Sequence, residues 1–187
     1  MNSRFVIQNC IKATNTNIER VEKTLSSFSS NQLNWKINPD SWSIGECLSH
    51  LINSNKLYLN KFGSILSSQP KGEEKDFSYK QTILGAMITK GVDPANVRKT
   101  KTFKVFFPNA SNIERNILDD YIEKSKKLIS LSERMIHIDL KKIKFSSPAN
   151  ILIRLNLGDP LIFIPKHDKR HLDQAERVRN HPGFPNQ

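Results

Sequence analysis

Between Ile7 and Phe28 the residues Ile7, Ile11, Thr14, Ile18, Val21, Leu25 and Phe28 recur at alternating spacings of four and three. An α-helix turns once every 3.6 residues, so this spacing lays all seven on one stripe of an amphipathic helix. A stripe kept up over so many turns suits packing against other long helices at small crossing angles. The run Ser26–Asn31 is expected to end this first helix.

Three further segments follow the same logic. After Pro39 and Asp40, Ser43-Ile44-Gly45-Glu46 has the S-x-x-E form of a capping box, in which the cap and the third residue satisfy each other's amides. The second helix it opens carries Ile44, Cys47, Leu48, Leu51, Tyr58, Leu59 and Phe62 on its apolar face, interrupted by Asn55, and fades around Ser67–Pro70. Ser111-Asn112-Ile113-Glu114 is a second box, opening a third helix striped by Ile113, Ile117, Tyr121, Leu128, Leu131 and Met135 and widened by Leu118, Ile122 and Ile129. Asp159-Pro160 reads as the N-cap and first turn of a fourth, running to about Asn180 and closed by His181-Pro182-Gly183. Pro165 either kinks that helix or marks its true start. Residues 149–158 fit a short helix or an extended segment equally well.

Residues 70–110, punctuated by Gly72, Gly85, Gly91, Pro94 and Pro108, form a long connection between the second and third helices, with a short helix near Gln81–Thr89. A connection of that length is usually ordered against the body or functional. The expectation is an all-α four-helix bundle forming one domain over residues 1–187. Only seven glycines accompany it, too few for a sheet-rich fold with many tight turns.

No apolar run approaches the roughly 18 residues of a membrane span, and the N-terminus does not read as a signal peptide. Cys10 and Cys47 make no disulfide framework, so free buried thiols in a reducing, cytoplasmic setting are expected. A formal charge of +11 can attract nucleic acid, anionic lipid or small anionic substrates. The cations are spread along the chain, concentrated only at Arg98–Lys104 and at Lys141-Lys142-Ile143-Lys144. Without a basic platform interleaved with aromatics, or zinc-finger spacing, nucleic acid is not the expected partner.

On the fourth helix, Leu161, Ile164, Asp168, His171, Ala175 and Val178 follow the core-facing stripe, with His167 on its margin. Histidines four apart stand side by side, about 5–6 Å apart at Cβ. A buried imidazole without a partner costs about 1–3 kcal/mol, so something must satisfy the pair. H-x-x-x-H on one helix face is a metal-binding arrangement, though such pairs also occur on surfaces by chance. His50, beside the apolar face of the second helix, is a third imidazole that can reach them. Three protein nitrogens leave at least one position open, as catalytic metal sites do. Taken alone, His50 reads as an ordinary partly buried histidine. Cys47, one turn before it, is either a fourth ligand or a small core residue, and buried free cysteine usually behaves as the latter. His137 and His181 have no partner pattern and are expected at the surface.

The segment Trp42-Ser43-Ile44-Gly45-Glu46-Cys47-Leu48-Ser49-His50-Leu51 resembles the W-S-x-x-E-x-x-x-H-L signature of the DinB/YfiT-like superfamily, with Leu33–Pro39 similar to its lead-in. His167-Asp168-Lys169-Arg170-His171-Leu172-Asp173-Gln174 resembles its second signature, H-x-x-x-H-x-x-Q, and the terminal Pro-Gly-Phe-Pro agrees. The resemblance implies a four-helix bundle with a three-histidine metal site, whose ligands here would be His50, His167 and His171. It implies a thiol-dependent transferase, acting with a low-molecular-weight thiol, or a metal-dependent hydrolase, and frequently a homodimer.

Three functions follow as expectations. The first is an enzyme using a divalent ion on three imidazoles, with Lys166, Lys169 and Arg170 either gathering an anionic substrate or forming a solvated face. Asp168 or Gln174 would orient a ligand imidazole in it, or lie at the surface. The second is a metal-binding or stress-related protein without turnover, and the third a basic nucleic-acid-binding module. Imidazole suits zinc, nickel, iron and copper alike, so the ion stays open.

Overall fold

The computed structural model describes residues 1–69, 72, 75–96, 104–108 and 112–186. The basic run at 98–103 and the cap residue Ser111 lie outside them.

Helix α1 spans Ser3–Leu25, its start capped by Asn2, whose side chain accepts from the Phe5 amide at 2.8 Å. Ile7, Thr14, Ile18, Val21 and Leu25 of the stripe are buried, as is Phe28 just past the helix end. A short helix, α2 (Ser30–Asn34), follows where only a break was expected. Its own capping box, Ser29 with Gln32, explains why it forms. The Ser43/Glu46 box opens α3 (Ile44–Ser67): the Ser43 hydroxyl accepts from the Glu46 amide at 3.1 Å, and Glu46 accepts from the Ser43 amide at 2.8 Å. Glu46 also pairs with Lys36 at 2.7 Å, so the glutamate of this motif is a cap and an ion-pair partner.

The connection carries α4 (Ile83–Val92), close to where a short helix was expected, and a 3₁₀ turn at Lys104–Phe106. The third long helix, α5 (Ile117–Glu133), begins later than the second box suggests. Both backbone groups of Ile113 are taken by the Asn34 amide, which donates to its carbonyl and accepts from its N–H, each at 2.7 Å. Such pairing takes the Ile113 backbone groups out of any helix. Gly45 makes room, since a Cβ there would approach Ile113 to 3.1 Å.

Of the two readings for residues 149–158, the extended one holds. Strands β1 (Lys144–Ser147) and β2 (Asn150–Asn156) form an antiparallel hairpin with Phe145 opposite Leu155 and a bulge between Ser146 and Ser147. Helix α6 (Gly158–Arg179) runs continuously with Pro165 inside it. Asp159 is not its cap. Asn156 accepts from the Asp159 amide at 3.1 Å and Asp159 accepts from the Asn156 amide at 3.0 Å, a reciprocal box in which Asp159 is the third residue.

Helices α1 and α3 each pack against α5 and α6, which makes them diagonal to one another and places α3 beside α6. The molecule is mostly helical, as an all-α bundle requires. Its apolar interior falls into two clusters, one around Tyr58, Phe62, Leu128 and Leu161, the other around Leu48, Leu51, Tyr121 and Leu172. Buried polar residues interrupt the interior on every long helix: Asn17 on α1, Asn55 on α3, Ser125 on α5 and Asp168 on α6. No described helix is long and apolar enough to cross a membrane.

Candidate metal centre

Because α3 lies beside α6, His50 meets the His167/His171 pair. One ligand atom from each of the three histidines lies within 4.8 Å of the others, an arrangement that can hold a metal ion. His50 Nε2 is 3.1 Å from His167 Nε2, and the three ring centroids are 4.6–5.0 Å apart. His50 is buried and the other two are partly buried.

The protons on two rings follow from their neighbours. The Phe106 carbonyl lies 2.7 Å from His50 Nδ1, and a carbonyl can only accept, so Nδ1 carries the proton and Nε2 keeps a lone pair. Gln174 Oε1 lies 3.0 Å from His171 Nδ1, with the same consequence. Burial pulls all three imidazoles below their ordinary pKa. His167 lies well below it and His171 is pushed down to about 3, with mutual repulsion among the rings adding to the desolvation of both. Rings held neutral, with lone pairs converging, are in the state that binds a cation. The residues present fit a divalent metal.

The expected orienting pair divides. Gln174 touches His171, whereas Asp168, fully buried next to His167 in sequence, turns into the bundle. Its carboxylate accepts from Asn55 Nδ2 at 3.1 and 3.2 Å and from the Tyr121 hydroxyl at 3.2 Å. Burial raises its pKa to about 7, against the lowering effect of Asn55 and Tyr121. Cys47 is not part of the cluster. It packs among Leu33, Ile44 and Leu48 with its thiol pKa raised by burial.

Lys166, Lys169 and Arg170 differ in their surroundings, and Lys169 is exposed as on a solvated face. Lys166 pairs with Asp93 at 2.7 Å and Lys169 with Asp173 at 3.0 Å. Arg170 donates to the backbone carbonyls of Asp93 (3.1 Å) and Asn96. Two of the three therefore strap the connection onto α6, each from the position immediately before a histidine. His137 and His181 are partly buried, not surface groups: His137 Nδ1 has no partner among the described residues, and His181 lies against Trp35 with ring centroids 5.5 Å apart.

Two wall elements carried no functional signal in the sequence. Trp42 stacks on His171 at 5.6 Å and an interplanar angle of 29°, and sits 4.9 Å from His50, covering one side of the cluster. Its place in the first signature was the only hint. The Phe106 carbonyl is a backbone group, which no side-chain pattern can reveal.

A family model described as the DinB superfamily matches residues 13–175. No similar chain was found among curated proteins or among solved structures. The matched span contains both motifs and all three converging histidines, and the chain belongs to the DinB superfamily.

Proposed function

We propose that this protein binds one divalent metal ion through His50, His167 and His171 and uses it in a thiol-dependent transfer or a hydrolysis. The observation that supports this most is the convergence of three neutral imidazoles, two of them with their outer nitrogens fixed by acceptors. A divalent ion held there supplies Lewis acidity, lowering the pKa of a bound water or thiol. The chain's own residues do the rest. The Phe106 carbonyl and Gln174 fix which nitrogen of His50 and His171 faces inward, and Trp42 shields one side from water. Three protein donors leave room for a substrate atom.

The partner is then a small molecule, such as a low-molecular-weight thiol with an electrophile. Homodimer formation is part of the same reading. The exposed apolar residues Ile83 and Met87 on α4 and Ile151 and Leu152 on β2 are the surface a second copy would cover.

Turnover tests the catalytic part. Metal-loaded protein is assayed with a thiol and a panel of electrophiles, and with ester and amide substrates, beside His171→Ala. Activity that depends on metal and disappears in the variant is expected. Full activity in His171→Ala would refute metal catalysis. Metal binding with no turnover across the panel would favour the non-catalytic reading.

A further inference from the structure

A cleft of about 600 Å³ shares no residue with the histidine cluster. Lys80 from the connection, Lys141 and Lys142 from the approach to β1 and Lys144 at its start line it, with Asp139 as its one acidic group. All four lysines are exposed, and among the described residues their one ion pair is the loose 3.7 Å contact of Lys142 with Asp139. Among the described residues, Lys80, Lys141 and Lys144 have no carboxylate partner. Lys36, Lys166 and Lys169, by contrast, each hold a carboxylate within 3.0 Å, whereas exposed lysines such as Lys12, Lys126 and Lys127 are unpaired among the described residues but do not share a concavity. The cleft therefore gathers positive charge that the fold leaves uncompensated.

Its walls are fixed in place. Asn156 Nδ2 donates to the Lys80 carbonyl at 3.0 Å, and the Leu157 amide donates to the carbonyls of Leu140 and Ile143, each at 3.0 Å. The strand-like stretch below Lys80 is tied to the N-terminus, with Ser3 N–H on the Phe77 carbonyl at 2.8 Å and Tyr79 N–H on the Met1 carbonyl at 2.9 Å. Asp139 Oδ1 accepts from the amides of Lys141 and Lys142 at 3.1 and 3.3 Å, shaping the turn that presents them. Two separate segments thus bring lysines to the wall of one concavity. Its volume lies within the roughly 300–1,000 Å³ of small-molecule sites, and ammonium groups on long stems recognise phosphate as point charges.

We propose that this cleft is a binding site for a small polyphosphate-bearing anion, either a nucleotide or an inorganic polyphosphate chain. The site is independent of the metal centre.

Calorimetric titration at low ionic strength, where screening is weak, tests it with inorganic tripolyphosphate and ATP as probes and adenosine as the phosphate-free control. Saturable one-site binding of at least one phosphate probe is expected, with adenosine inert. The Lys141→Ala/Lys142→Ala/Lys144→Ala variant should bind at least about tenfold more weakly. Lys12→Ala/Lys126→Ala/Lys127→Ala removes the same charge from exposed lysines outside the cleft and should bind as the parent does. Asp139→Asn, which keeps an oxygen for the two amides and removes the opposing charge, should bind more tightly. Affinity for tripolyphosphate equal to that for ATP assigns the chain itself, and tighter ATP binding assigns a nucleotide. Repeating the titration in His171→Ala removes any contribution of an anion sitting on a bound metal, and binding should persist there. Absence of saturable binding, or equal losses in the two triple variants, would overturn the proposal.

Discussion

Replacing Gly85 by alanine tests whether the connection is latched to the bundle through Asp159. Gly85 lies in α4, and a Cβ built on it falls 2.2 Å from Asp159 Cγ and 2.4 and 2.5 Å from the two carboxylate oxygens. Asp159 cannot swing aside freely. It is fully buried and accepts from the Tyr79 hydroxyl at 3.0 Å, the Thr82 amide at 3.1 Å, the Thr82 hydroxyl at 2.7 Å and the Asn156 amide at 3.0 Å. Helix propensity favours alanine by about 0.5–1 kcal/mol. Overpacking costs about 1–3 kcal/mol, and losing even one hydrogen bond to a charged acceptor costs about 1.5–3 kcal/mol more. The balance is a destabilisation of about 1.5–5.5 kcal/mol. Gly63→Ala in α3, where nothing lies within 4 Å of the added carbon, is the internal control and should gain up to about 1 kcal/mol. Urea denaturation of both variants in the presence of chelator reads the difference. If Gly85→Ala matched Gly63→Ala in stability, the proposed close contact between α4 and Asp159 would be wrong.

Three further outcomes follow from the metal centre. Gln174→Leu removes the acceptor on His171 Nδ1 and should weaken metal binding by about 10–100-fold, measured by competition with a chromophoric chelator; unchanged affinity would deny Gln174 that role. In metal-free protein, imidazoles whose pKa is lowered by burial stay neutral below pH 6.5 while the unfolded chain takes up protons. Stability present above pH 6.5 should therefore decline as pH falls toward about 3, the value for His171, which alone accounts for a loss of roughly 2 kcal/mol at pH 5. Denaturation midpoints at pH 7.5 and 5 should differ less in His171→Gln than in the parent, and equal differences would contradict the assignment. Trp35→Phe leaves Trp42 as the only tryptophan, and its emission should be quenched in proportion to bound copper or nickel; bound metal without quenching would place the ion elsewhere.

Much of this architecture was legible in the residues. The 4–3 spacing from Ile7 to Leu25 gave α1 because burial of one stripe is what stabilises a long helix. Ser43 and Glu46 gave the start of α3, since reciprocal capping is a local interaction. The Ser29/Gln32 box carries the same information for α2 but lies within a serine-rich run that reads as a helix stop. Where long-range contacts decide, local patterns mislead. Ser111-x-x-Glu114 suggests a helix start, yet Asn34, far away in the chain, takes the backbone groups of Ile113 and the helix waits until Ile117. Asp159 reads as a cap but serves as a hub for Tyr79, Thr82 and Asn156. The histidine triad was legible because two members share a helix face and the third sits in a recognisable motif. The strap of Lys166 and Arg170 onto Asp93 was not, because it depends on where a long connection returns.

X-ray absorption spectroscopy of the protein loaded with one equivalent of zinc measures the coordination shell itself. Three imidazole scatterers at about 2.0–2.1 Å, completed by light oxygen or nitrogen atoms and reduced to two imidazoles in His50→Ala, are what the proposed site predicts. A shell containing sulfur at about 2.3 Å, or one unchanged by loss of His50, would mean that the ion is held elsewhere.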